Sequence, residues 1–249
     1  MSKMTVLEMT QDILSDMNSD EVSTINGSLE STQVAQIIKT TYFNITEGRD
    51  LPHLKELFRL DSGTGAKPTH MLIPETIIDV DWVKYNTKKL VGDKNLYTKM
   101  IYKTPEEFLY ILEQRDSLDT TNIKVVTDDS NVLLNINKTK SPQYYTSFDD
   151  ETVVLDGYLA VLETNLQQSK SNCFGKKSVT FTVSDTFVPD LPVQMFTYLL
   201  AEAKSTAFVV LKQMANPKAE QTSVSQKRRM SQESFKLKNG ITYPNYGRK

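Results

Sequence analysis

The hydrophobic period of this chain changes twice along its length. Apolar residues recur every three or four positions up to about residue 58, alternate from about 59 to 186, and return to the longer period from about 187. An amphipathic helix must bury its apolar stripe against another element, so the two helical ends are expected to pack on each other and enclose the alternating middle as an insertion. The expected fold class is α+β: a helical bundle with a long C-terminal helix, an inserted small antiparallel β domain and an extended C-terminal tail. In residue numbers, 1–58 and 187–232 form the helical core, 59–186 the β-rich insertion with one short helix, and 233–249 the tail.

Local signals place the helices. Thr5 followed by Glu8 is a capping box, after which Val6, Met9, Ile13 and Met17 share one helical face. Ser28 caps a second helix over 29–47, with Val34, Ile37, Ile38, Thr41, Tyr42 and Ile45 as its stripe and Gly48 where a terminating glycine belongs. Pro52 predicts a short turn of helix over 52–58, and Thr104-Pro105-Glu106-Glu107 starts a helix running to about Arg115. Pro189-Asp190-Leu191-Pro192 opens the longest pattern, in which Val193, Phe196, Leu200, Ala203, Ala207, Val210 and Met214 follow helical spacing. Asn216-Pro217 either breaks that helix or caps another over 217–232, and the Gly- and Pro-containing end from Asn239 is expected to be extended.

The middle reads as strands. Ile77 to Tyr85 alternates so that Ile78, Val80 and Trp82 fall on one face, and another strand is expected near 97–102. Residues 123–126 and 132–136 flank Asp128-Asp129-Ser130 as one hairpin, 144–148 and 152–158 flank Asp149-Asp150 as a second, and Ser178–Val183 is expected as the last strand.

Charge is unevenly placed. Residues 1–217 hold 21 basic and 29 acidic side chains, a net of −8, whereas 218–249 hold eight basic and two acidic, a net of +6. A basic end on an acidic body suits an acidic protein surface or nucleic acid, or is simply a solvated end. Lys227-Arg228-Arg229 carries the densest charge, and Phe235, Tyr243 and Tyr246 lie nearby. These six residues are the candidate docking set. Irregular aromatic spacing and the lack of a nucleic-acid fold motif argue against sequence-specific DNA binding.

Little in the sequence points to catalytic chemistry. Gly63-Thr64-Gly65-Ala66-Lys67-Pro68-Thr69 has the wrong spacing for a phosphate loop and reads as a flexible connection. Asp79 and Asp81 fit a solvated strand face, while Asp128-Asp129 and Asp149-Asp150-Glu151 fit hairpin tips, where aspartate favours turn geometry. With only His53 and His70, a single Cys173 and no nearby basic partner for that thiol, no metal ligand set, cofactor or nucleophile is expected. No run approaches the roughly 20 apolar residues that span a bilayer, and the N-terminus lacks the apolar run of a signal peptide. The chain is therefore expected to be soluble and unprocessed, and the sequons at Asn26, Asn44 and Asn137 to be coincidental.

Four blocks, in order, carry a likeness. They are Val34 to Asn44 leading to Gly48-Arg49-Asp50; Leu72-Ile73-Pro74-Glu75 leading to Val80-Asp81-Trp82-Val83-Lys84-Tyr85; Tyr144 to Val154; and Phe187-Val188-Pro189-Asp190-Leu191-Pro192 before the long helix. Over about residues 5–235 this arrangement resembles the tail tubular protein A family, the head-to-tail adaptors of tailed bacteriophages. Leu51 departs from the pattern, where an aromatic is expected after the Arg-Asp pair.

The resemblance implies a structural virion protein of the tail or neck, assembled in the host cytoplasm, with no enzymatic activity. Such adaptors form a ring, usually dodecameric, below the portal, extend the DNA channel, and present a platform to the next tail component, a nozzle or tail tube. Genomic DNA then passes through without sequence-specific binding, and Lys227, Arg228, Arg229, Phe235, Tyr243 and Tyr246 are expected to dock on the portal protein. The alternative is a nucleic-acid-binding protein working through its basic tail. A metal-assisted hydrolase using Asp149, Asp150 or Glu151 is a third class.

Overall fold

A computed structural model describes residues 3–47, 51–90, 92–160 and 170–239, so the expectations for Gly48 and for the end beyond Asn239 lie outside the described residues. Among these the fold is mixed α+β, with five helices and small, mainly antiparallel sheets. The chain divides into two compact units, residues 1–54 with 179–249, and residues 55–178.

The first unit contains α1 (Val6–Asp16), α2 (Leu29–Glu47), α4 (Val193–Lys212) and α5 (Pro217–Asn239). Thr5 and Glu8 complete the capping box reciprocally: the Thr5 N–H donates to the Glu8 carboxylate over 2.7 Å and the Glu8 N–H to the Thr5 hydroxyl over 3.1 Å. Such a cap contributes about 1 kcal/mol by satisfying orphan amides. Met9, Ile13, Ile38, Tyr42, Phe196 and Leu199 make one core, and Ala203 and Ala207 let α4 approach closely. Lys204 of α4 lies 3.0 Å from Asp12 and also pairs with Asp16 of α1.

The inward stripe of α4 turns away from the expected one at its ends. Phe196, Ala203 and Ala207 are buried as predicted, but Val193, Val210 and Met214 are exposed and Met195, Leu199 and Ala201 are buried instead. A helix flanked by three others buries more than one row, so periodicity alone picks the wrong edge residues.

Two further expectations fail locally. Helix over 52–58 is limited to a 3₁₀ turn at Pro52–Leu54, after which Lys55–Phe58 is strand β1. Ser178–Val183 is not a strand; the last strand is Ser171–Lys177. Alternation there is real, since Val179, Phe181 and Val183 do point inward, but they pack on helices, with the Phe181 ring 5.2 Å from Tyr42 and 5.0 Å from Phe187. Period two reports a buried face and says nothing of a neighbouring strand.

The second unit stacks three layers. One sheet has the order β1, β10 (Ser171–Lys177), β3 (Ile77–Asn86), β4 (Tyr97–Lys99). The second has the order β2 (His70–Leu72), β9 (Thr152–Leu155), β8 (Tyr144–Ser147), β5 (Ile101–Tyr102), and its β5–β8 pairing is parallel. Leu60, Met71, Val83, Tyr85, Tyr145 and Cys173 fill the space between them. On the other face of the second sheet, Val154 joins Phe108 and Leu112 of α3 (Pro105–Glu113) and Val126, Leu134 and Ile136 of the hairpin β6 (Ile123–Thr127) to β7 (Leu133–Asn137).

Strand β3 corrects another expectation. Val80 faces the core, but Ile78 is 61% exposed and Trp82 lies on the outer face. The register with β10 slips twice, so that Gly175 pairs with Val80 where Phe174 pairs with Trp82, and Lys177 pairs with Ile77 where Lys176 pairs with Asp79. Each bulge inserts one residue and reverses the alternation, which is why Ile77, Val80, Val83 and Tyr85 all face inward.

Helix α5 also departs from expectation, running to Asn239 rather than stopping at 232, so residues 233–239 are helical and not part of an extended tail. Neither Pro nor Gly occurs between Lys218 and Asn239, and Gly240 is the first breaker.

Candidate docking surface

The candidate surface is built on α5. Asn216 accepts the Ala219 N–H through its side chain over 3.1 Å, and Pro217 fills the first helical position, where its missing N–H costs nothing. Ala219 and Ser223 are buried against α4, and the Ser223 hydroxyl donates to the Glu202 carboxylate. The burial of that stripe turns Lys218, Lys227, Arg228 and Arg229 outward, all exposed.

The three central cations do not share one groove. Lys227 borders a cavity of about 360 Å³ between α2 and α4, with Gln36, Thr40, Asn44 and Tyr198 on its walls. Arg228 and Arg229 instead line a shallow groove on another side of α5 with Gln221 and Val224. Successive helical residues are about 100° apart, so a contiguous basic triplet is split between two faces. Phe235 lies within α5 but its side chain, like Tyr243 and Tyr246, lies outside the described residues.

Residues weighed for chemistry take structural places. The Gly63–Thr69 loop is tied to the β6–β7 hairpin by Lys67 against Asp129 at 2.5 Å. Next to it, the buried His70 donates its Nε2 proton to Asp128 over 3.0 Å. Burial pushes the His70 imidazole below its ordinary value despite the Asp128 carboxylate beside it. Burial works to raise Asp128, but N–H groups of Ser130 and Asp129 and the His70 ring outweigh it and hold the carboxyl below its usual range. A neutral imidazole donating to a carboxylate is a clamp between loop and hairpin, and the fully buried Thr69 hydroxyl lies 3.5 Å from its other ring nitrogen.

His53 lies 3.2 Å from the Asp190 carbonyl, Asp81 pairs with Lys55 at 2.7 Å, and Asp149 accepts the Glu151 and Thr152 amides within its turn. Cys173 is fully buried, and desolvation pushes its thiol up to about 12. Among the described residues no three His, Cys, Asp or Glu side chains converge to hold a metal ion, and no helix is long and apolar enough to cross a membrane.

Two features lay outside sequence reasoning: the cavity under Lys227 and an outward apolar row across the first sheet. Paired residues on adjacent strands share a face, so Leu57, Phe174 and Trp82 lie side by side, the last two rings stacked at 5.8 Å. Neither could be found from local patterns, because each joins segments about 100 residues or more apart. No protein-family model matches the chain, and no curated protein matches it.

Proposed function

We propose that this protein is a structural head-to-tail adaptor of a tailed bacteriophage, assembling as a ring below the portal and joining the capsid vertex to the tail. The order of the four sequence blocks suggests it, and the observation that carries it is the concentration of positive charge on the exposed faces of α5, while the rest of the chain is acidic. A basic helix on an acidic body is suited to docking on an acidic portal surface, and an acidic channel wall repels DNA phosphates and lets the genome slide. In this reading the first unit is the helical bundle of the ring, α5 docks on the portal, and the second unit presents its sheets to the next tail component.

The test is mass by light scattering, with negative-stain images, of the chain alone and with its cognate portal ring. Deleting 218–249 would also strip Ala219 and Ser223 from α4, so the informative variant is Lys227→Glu with Arg228→Glu, whose side chains are exposed. A ring that forms on the portal with the natural chain and not with this variant supports the adaptor and its docking helix together. A chain indifferent to the portal but retained on DNA, with retention falling steeply with salt, replaces it with the nucleic-acid reading.

A further inference from the structure

The outer face of the first sheet holds an arrangement that a free surface disfavours. The apolar row of Leu57, Phe174 and Trp82 is bracketed by two pairs of lysines placed directly opposite each other, Lys55 against Lys176 on one side and Lys84 against Lys99 on the other. Like charges directly opposite on adjacent strands repel. Lys55 is bridged to Asp81 and Lys176 stands directly opposite Asp79, so that pair is already balanced, whereas Lys84 lies over the Trp82 ring at 4.5 Å, and neither it nor Lys99 reaches a carboxylate among the described residues. Leu57 is 65% exposed beside them. An apolar anchor flanked by acids would relieve both defects at once.

The chain carries such an anchor on its opposite outer layer. Leu118, at 85%, is the most exposed large apolar side chain among the described residues, and it stands between Asp116 and Asp119 in the loop after α3. Asp116 accepts the Leu118 N–H over 2.9 Å, and Asp119 accepts the Thr121 and Asn122 amides, so the loop is held with Leu118 outward. A hydrogen bond from the Asn122 side chain keeps the Asp119 carboxyl below its usual range, hence charged. Helix α3 packs on the face of the second sheet that points away from the first sheet, so the loop and the lysine-bracketed row cannot meet within one molecule.

We infer that the Leu118 loop of one copy docks on the Leu57–Phe174–Trp82 row of the next, with Asp116 and Asp119 against Lys84 and Lys99. Unlike surfaces on opposite layers make a heterologous contact, which propagates head to tail and closes into a ring when the rotation allows. This rests on the self-assembling adaptor read above and names its contact between copies.

Sedimentation velocity on the full chain tests it with two variants, Lys84→Glu with Lys99→Glu on the face, and Leu118→Arg on the loop. Lys99 and Leu118 are exposed and Lys84 is half-buried over the Trp82 ring, so circular dichroism verifies that both variants remain folded. Each variant alone should self-associate at least about tenfold more weakly than the natural chain. Mixed in equal amounts, they should form a complex that stops at two copies, because the face variant keeps its loop and the loop variant keeps its face.

A mixture that stays monomeric overturns the inference. So does association lost only in the face variant, which would give the face to another acidic segment. Unchanged association of both variants would also overturn it, and would leave the adaptor reading untouched. A natural chain that is monomeric alone overturns this contact even if it forms rings on the portal, and failure to assemble in either setting counts against the adaptor itself.

Discussion

The Arg115 guanidinium lies 2.7 Å from the Asp156 carboxylate and ties the end of α3 to the strand end that follows β9. The same carboxylate accepts the Gln143 and Tyr144 amides over 2.8 and 2.9 Å, while Arg115 also donates to the Asn135 carbonyl over 3.1 Å. One buried acid thus organises four segments of the second unit.

Asp156→Ala removes the carboxylate from a part-buried guanidinium, which keeps its bonds to the Asn135 and residue-156 carbonyls, and takes the acceptor from the part-buried Gln143 and Tyr144 amides. The expected loss is about 1–3 kcal/mol, read from the urea midpoint. Asp156→Asn, which keeps one acceptor, should lose less. Equal losses in the two variants would show that the neutral acceptor kept by Asn contributes nothing and that the carboxylate charge accounts for the loss.

His70 gives the fold a defined response to acid. Its native pKa is depressed below the ordinary 6.5 by burial, so the unfolded chain takes up a proton that the folded chain resists. Its contribution is complete above pH 6.5, declines as pH falls below that value, and is lost below the depressed native pKa. Urea midpoints measured on either side of this window should fall with acid in the natural chain and fall less in His70→Gln. Identical slopes would remove His70 as the cause.

Gly175 sits in the bulge that turns Trp82 outward. A Cβ there would lie 2.2 Å from the Asp79 carbonyl oxygen and 3.0 Å from the Phe58 ring. Gly175→Ala should therefore force the bulge open and cost about 1–3 kcal/mol. A melting temperature equal to that of the natural chain would mean that β3 and β10 adjust freely.

Ala207 is fully buried where α4 meets the core of the first unit. Ala207→Trp should overpack this contact and cost about 1–3 kcal/mol or more, visible as a lowered melting temperature. Unaltered melting would mean that α4 is not held at this face.

Charge at the candidate surface was legible because Lys227, Arg228 and Arg229 are adjacent in the chain, while the start of α5 was one of two readings that Asn216-Pro217 allowed, the one in which a cap precedes a first-turn proline. Which groove each cation borders was not, since that depends on which stripe of α5 the Ala201–Glu202 region of α4 buries. The lysine-bracketed row was hidden for the same reason: Leu57, Trp82 and Phe174 become neighbours only through pairings across long sequence separations.

By itself the sequence determined what local backbone chemistry can decide. The Thr5–Glu8 capping box, the Thr104-Pro105 helix start, the turn aspartates of the two hairpins and the change of period each act within a few residues, where capping amides and turn geometry set the free energy. Tertiary structure decided the rest. Alternation at 178–183 became an extended segment on helices because the partner surface there is helical, and two bulges reversed the faces of β3 because its neighbour β10 is out of step with it. A strand is completed only by the backbone of another strand, and a buried face only by what packs on it; both partners lie far away in the chain.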